Sequence, residues 1–368
     1  MITHNSNLIN KVSFPDYYAG PLSDHVGNDP EIGNLLKFLK NISKPSDVWL
    51  GENMVWPSID LVVPENFTTY IFTFFGEPID VEFLKEMDQK FKNKNLILIS
   101  SSNTQFFYLN NFKIFYLEHL HEYKKFYREQ KYPDLDKRKY LLSAPNKRFC
   151  PHRVVALAKL LEIKTQNDYE LAYSFSTEQA IHDKKGLWRF IDTKYPDLVV
   201  TDKFVDIVDE LLEGKYNHLY DFYDTYGWSP VGDMYENSIV NLVTESCFEA
   251  EPHFPIGYFS EKILKPLVSR MPYVLVGQEF SLQRLRNLGF LPYFDQSVED
   301  TEGLTPGQRL NRIVELLIKI SHRDFDLQYL QEIADFNHRY FFHGFYERAT
   351  TLNRTVKQKI LDHIESVI

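Results

Sequence analysis

Residues 238–289 read SIVNLVTESCFEAEPHFPIGYFSEKILKPLVSRMPYVLVGQEFSLQRLRNLG. Ser238–Thr244 is a strand-sized apolar run that stops at Thr244-Glu245-Ser246, and a polar loop follows. Glu261–Val268 has the length and composition of a helix. Met271-Pro272 then leads into a second apolar run, Tyr273–Gly277, and into a second helix, Leu282–Leu288. Strand, helix, strand, helix in that order predicts a parallel sheet covered by helices. The fold class expected is therefore α/β.

The same alternation extends upstream. Strand Tyr140–Ser143, helix Val154–Leu161, strand Leu171–Phe175 and helix Lys203–Leu212 precede the quoted stretch. Earlier still, Tyr70–Phe75 is a buried-strand run ending at Gly76-Glu77-Pro78, followed by helix Val81–Lys92 and strand Asn95–Ser100. Between the two series, Glu118–Lys139 is dense in charge and Tyr and reads as a helix plus a hydrophilic linker. The first ~35 residues, rich in Pro, Gly, Asn and Asp, read as irregular. From about Gly307 the tail is helical almost throughout. The expected organisation is two Rossmann-like domains, residues 1–136 and 137–345, with a C-terminal helix over 346–368. Ligand is expected between the domains, at the C-terminal ends of the strands.

Composition narrows the function. The chain has 368 residues, about two domains' worth, with 43% apolar and 25% charged residues. Those fractions suit a globular protein and exclude collagen-like, disordered and disulfide-scaffold classes. A net charge of −10 offers duplex nucleic acid no broad basic face. The two cysteines, Cys150 and Cys247, imply no disulfide framework, so a cytoplasmic location is expected. The longest apolar runs fall far short of the ~20 residues that span a bilayer. Sequons at Asn41, Asn66 and Asn353 are read as chance matches.

Several familiar motifs are absent: GxGxxG after a strand, GxxxxGK[ST], GxSxG and HExxH. Two acid-x-acid triplets, Asp134–Asp136 and Asp324–Asp326, imitate a metal-binding carboxylate pair. The first follows a Pro in a basic linker and the second begins a helix, where acids cap and complement the dipole. His119 and His121, two apart in the linker, do not have metal-ligand company. No metal and no resident cofactor are expected.

Basic residues at two helix starts are more telling. Lys147, Arg148, His152 and Arg153 lie in a loop leading into Val154–Leu161, whose Val154, Leu157, Ala158 and Leu161 mark a buried stripe. Cations there oppose the helix dipole by about 0.3–1 kcal/mol each, which makes sense where an anion binds. Lys262 occupies the same kind of position, with Glu261 beside it to accept hydrogen bonds from ribose hydroxyls.

In order and spacing these elements resemble the donor-binding domain of the α-1,3-fucosyltransferase family, over about 150 residues. Ser143-Ala144-Pro145-Asn146 followed by Arg153 looks like that family's Ser-Asn-Pro-Asn strand end and helix-opening Arg. Thr244-Glu245-Ser246, then Gly257-Tyr258-Phe259-Ser260-Glu261-Lys262, then Met271–Gly277 look like its next three elements. The loop after Ser246 is longer, and Pro266 interrupts a helix it is expected to kink. The resemblance implies a GT-B fold and an inverting, metal-independent transfer of a sugar from a nucleoside diphosphate donor, such as GDP-fucose, to a glycan or other hydroxyl-bearing acceptor. It implies that Asn146, Arg153, Glu245, Tyr258, Glu261 and Lys262 bind the donor. It also implies a catalytic carboxylate in the first domain, with Glu77 the closest counterpart and Glu52 the runner-up. The rival readings are a different nucleotide-sugar enzyme, such as an epimerase, and a non-catalytic nucleotide-sugar-binding module.

Overall fold

The computed structural model describes residues 48–51, 63, 65, 67–74, 81–100, 109–118, 127–146, 149–177, 184–218, 233–245, 248–249, 260–294 and 303–367. The chain forms two compact units. The first comprises residues 1–124, 250–256 and 344–368, and the second comprises 125–249 and 257–343. The division falls at Lys124/Lys125, ahead of the expected boundary near Asp136. The C-terminal helix belongs to the first unit instead of standing alone.

The first unit holds a parallel sheet of β1 (Val48–Gly51), β2 (Thr69–Phe74), β3 (Asn95–Ser100) and β4 (Phe112–Tyr116), in that spatial order. Helix α1 (Val81–Lys90) crosses between β2 and β3. Tyr70, Phe72, Leu84, Met87, Leu96 and Leu98 fill the core, and Tyr70 stacks on Phe91 at 4.3 Å. At the end of α1, the Asp88 carboxylate accepts from the Asn110 and Asn111 backbone N–H groups at 3.0 and 2.8 Å, fixing the approach to β4.

The C-terminal helix, labelled α10 below (Tyr346–Val367), closes this unit. Its Asn353 is fully buried, accepting from the Glu118 N–H at 2.8 Å and donating to the Glu118 carbonyl at 2.7 Å. That amide has no room for a sugar, so in the folded chain the Asn353 sequon is structural.

The second unit contains β5 (Tyr140–Pro145), β6 (Leu171–Ser174), β7 (Ser238–Thr244) and β8 (Tyr273–Val276), all parallel, in the order β6-β5-β7-β8. Strand order therefore reverses between β5 and β7. Its helices are α2 (Pro151–Gln166), α3 (Lys184–Lys194), α4 (Asp202–Leu212), α5 (Asp233–Asn237), α6 (Leu264–Val268), α7 (Ser281–Asn287), α8 (Pro306–Ser321) and α9 (Leu327–Arg339).

Helix α2 is buried on all sides, from His152 through Ile163, and not only along the stripe its apolar residues mark. It packs against both α4 and α8. Lys159 is accommodated there by Glu162 at 2.9 Å and by the Phe204 ring face at 4.3 Å. The α6 segment also departs from expectation. Glu261–Ile263 is a 3₁₀ turn and the α-helix starts at Leu264, so Pro266 falls in the first turn, where its missing N–H interrupts no ladder.

One carboxylate of each acid triplet has a partner within the protein. Asp134 pairs with Lys137 at 2.9 Å and with Arg270 at 3.6 Å, and Asp326 caps α9 by accepting from the Tyr329 N–H. Beside them Arg138 is a staple between main-chain segments, donating to the carbonyls of Pro133, Ser238, Ser269 and Arg270. Burial and the adjacent Arg270 push its guanidinium down to about 10, so it remains charged at neutral pH.

Candidate functional site

The ends of β5 and β7 flank the point where strand order reverses, the usual place for a ligand in an open parallel sheet. Asn146 leaves β5 there with its backbone N–H donating to the Ser174 carbonyl at 2.9 Å. Its side-chain oxygen accepts from the Thr244 hydroxyl at the end of β7. That bond fixes the amide orientation. Asn146 is 1% exposed, and its Nδ2 meets no acceptor among the described residues.

Cys150 precedes α2 in extended conformation and Pro151 takes the first helical position, where a proline costs no hydrogen bond. The next two side chains turn to the same target. His152 Nε2 lies 2.9 Å from the Glu245 carbonyl oxygen, and Arg153 Nη2 donates to it at 3.1 Å. Burial first, then Arg153 and Lys262, push the His152 imidazole down from 6.5 to about 3. It is neutral and its Nε2 carries the donated proton. His152 thus leaves the set of potential cations. Arg153 is 4% exposed, and its Nε meets no acceptor among the described residues.

Glu245 is fully buried and ties the second motif to the first. Its Oε2 accepts from the Ser260 N–H at 3.1 Å and from the Ser260 hydroxyl at 2.6 Å. Lys262 in turn donates to Ser260 Oγ, through its ammonium at 3.0 Å and its backbone N–H at 3.3 Å. Asn146, Arg153, Glu245 and Lys262 are therefore joined through Thr244 and Ser260. The Glu261 side chain, Tyr258, Glu77 and Glu52 lie outside the described residues, as do Lys147, Arg148, His119 and His121.

Sequence reading missed a second ring of residues behind this group. Arg309, in the first turn of α8, donates to the Phe248 carbonyl at 2.7 Å and covers the Phe248 ring at 4.5 Å. That ring also stacks on His152 at 5.9 Å. Tyr195 hydrogen-bonds to the Glu249 carboxylate, and Gln278 donates to the Glu249 carbonyl at 2.9 Å. Burial and then Glu249 hold the Tyr195 phenol well above its ordinary range. Phe248 and Glu249 are thus held from α2, from α8, from Tyr195 just after α3 and from Gln278 just after β8. Arg309 carried a usable signal, a cation in a helix's first turn, the same that singles out Arg153 and Lys262. Tyr195 and Gln278 carried none.

At the reversal of strand order two buried donors, Asn146 Nδ2 and Arg153 Nε, meet no acceptor among the described residues, and the buried Glu245 carboxylate and the Lys262 ammonium lie in the same network. Among the described residues, no group of three His, Cys, Asp or Glu is placed to hold a metal ion. The chain matches no protein-family model and no curated protein.

Proposed function

We propose that this protein is a GT-B glycosyltransferase that uses a nucleoside diphosphate sugar. The observation that carries the reading is a pair of buried donors, Asn146 Nδ2 and Arg153 Nε, that meet no acceptor among the described residues, at the reversal between β5 and β7. An unmatched buried donor costs roughly 1–3 kcal/mol, a cost removed when an anionic or carbonyl acceptor arrives. The nearby Lys262 supplies a second positive charge.

In this reading Arg153 and Lys262 hold the diphosphate and neutralise the charge that grows on it as the sugar leaves. Fixed cations of this kind do the work a divalent ion does in other glycosyltransferases. Asn146 accompanies Arg153 on the phosphate oxygens, while Glu261 and Tyr258 orient the ribose or sugar. Glu245 acts from behind, through Ser260. A carboxylate, Glu77 or else Glu52, takes the proton of the acceptor hydroxyl. That oxygen forms a bond to the anomeric carbon as the bond to the diphosphate breaks, with inversion.

Thermal unfolding with GDP, UDP, ADP and CMP tests the reading. A ligand at 100 times its Kd adds about 2.7 kcal/mol, enough to see. At least one diphosphate should stabilise the protein, with donor turnover that persists in a chelator. Stabilisation without turnover would leave a nucleotide-binding module. No stabilisation by any nucleotide would end the proposal.

A further inference from the structure

We infer that Ser260 is a positioning residue for Lys262, an inference that rests on the nucleotide reading above. Ser260 is 5% exposed and does not itself carry charge, yet it stands between two side chains that do. Its hydroxyl has one proton. At 2.6 Å from Glu245 Oε2, that proton goes to the carboxylate, which can only accept. The hydroxyl oxygen then presents its lone pairs to the Lys262 ammonium at 3.0 Å, which can only donate. The direction of both bonds is fixed, and the buried carboxylate draws the ammonium to one place through a neutral intermediary.

Held through the hydroxyl at 3.0 Å, the long, flexible stem of Lys262 stays ordered and its ammonium keeps to one place. The Ser260 N–H donates to the same Glu245 oxygen at 3.1 Å, so the backbone that carries Lys262 is anchored as well as its head. Glu245 is itself locked, since its carbonyl receives His152 and Arg153 and its N–H donates to the Val276 carbonyl at 2.9 Å. Ser260 therefore links the Arg153 half of the site to the Lys262 half.

The test is a double-mutant cycle on GDP and UDP affinity by calorimetry, with Ser260→Ala, Ser260→Cys, Ser260→Thr, Lys262→Ala and the doubles of Ala or Cys with Lys262→Ala. Ser260→Ala and Ser260→Cys should each weaken binding about tenfold, as expected for one charge-assisted hydrogen bond. Ser260→Thr keeps the hydroxyl and should restore binding. In the Lys262→Ala background, loss of the hydroxyl should have no further effect, which a purely structural role for Ser260 does not predict. The Cys variant keeps the side chain's shape, so the cycle can be completed even if the Ala variant fails to fold. Full affinity in the Ala or Cys variant, or losses that simply add to that of Lys262→Ala, would overturn the role of Ser260 and leave the nucleotide reading standing. If ADP or CMP is the nucleotide that stabilises the protein, the cycle is run on that one, and wild-type protein that binds none of GDP, UDP, ADP and CMP would end both.

Discussion

At the scale of single residues, His152 shows how burial decides the role of a titratable group. Its folded pKa of about 3 lies below the ordinary 6.5, so between those values the unfolded chain binds the extra proton and the folded chain does not. The stability its neutral form contributes is complete above about pH 6.5. It is lost as pH falls toward 3, by at most about 1.4 kcal/mol per pH unit for one proton. Urea titrations across that range should show the loss in wild type and a flatter profile in His152→Gln, which keeps a donor but does not titrate. Equal slopes would mean that His152 is not the group responsible. Arg153 tests the anion site directly. Arg153→Ala should cost roughly 1.5–3 kcal/mol of nucleoside diphosphate affinity, read by calorimetry, and an unchanged isotherm would remove Arg153 from the site. Glu77→Gln should spare that affinity while lowering turnover roughly 10²–10⁴-fold, with Glu52→Gln mild by comparison. The reverse pattern would exchange the two roles.

At the scale of elements, Gly307 in the first turn of α8 is a position where general propensity gives the wrong sign. Gly→Ala in a helix usually stabilises by about 0.5–1 kcal/mol. Here an added Cβ would stand 2.7 Å from the Leu198 backbone nitrogen and 3.0 Å from Asp197 backbone atoms, none of which can swing aside. Gly307→Ala should therefore destabilise by about 1–3 kcal/mol in chemical denaturation, and a rise in stability would show that the approach is looser than this. The strands were far more legible than such packing. Asn95–Ser100 and Ser238–Thr244 form over the residues their apolar runs mark, because a strand buried on both faces announces itself. β4 was missed because Lys113 breaks the run in Phe112–Tyr116, and β1 because four residues are too few to stand out. In the site, Arg153 was legible as a cation placed against a dipole, whereas Lys262, read the same way, stands in the 3₁₀ turn ahead of the five-residue α6. Arg309 carried the same mark but lay far from the other motifs. Thr244 and Ser260, which join the site, were invisible as joints, since a hydroxyl acquires a direction only when its partners are in place.

At the scale of the whole molecule, the chain starts the first unit, completes the second, and returns to the first with α10. Asn353 satisfies both backbone groups of Glu118, His363 meets the Phe115 ring at 5.9 Å, and Asn95 donates to the Val367 carbonyl at 3.3 Å. Removing residues 346–368 should strip hydrogen-exchange protection from β3 and β4 while β5, β7 and β8 keep theirs. Uniform protection in the truncated chain would show that α10 only decorates the first unit. The return of the chain also has a consequence for the order of birth. Domains usually mature in the order in which they leave the ribosome, at about 5–20 residues per second. Here the unit begun first is finished last: β2, β3 and β4 emerge early and wait, for roughly ten seconds or more at those rates, until the final helix is made. During that interval the edge of β4 is an open template for a wrong neighbour, which makes a half-made chain a natural client for chaperones.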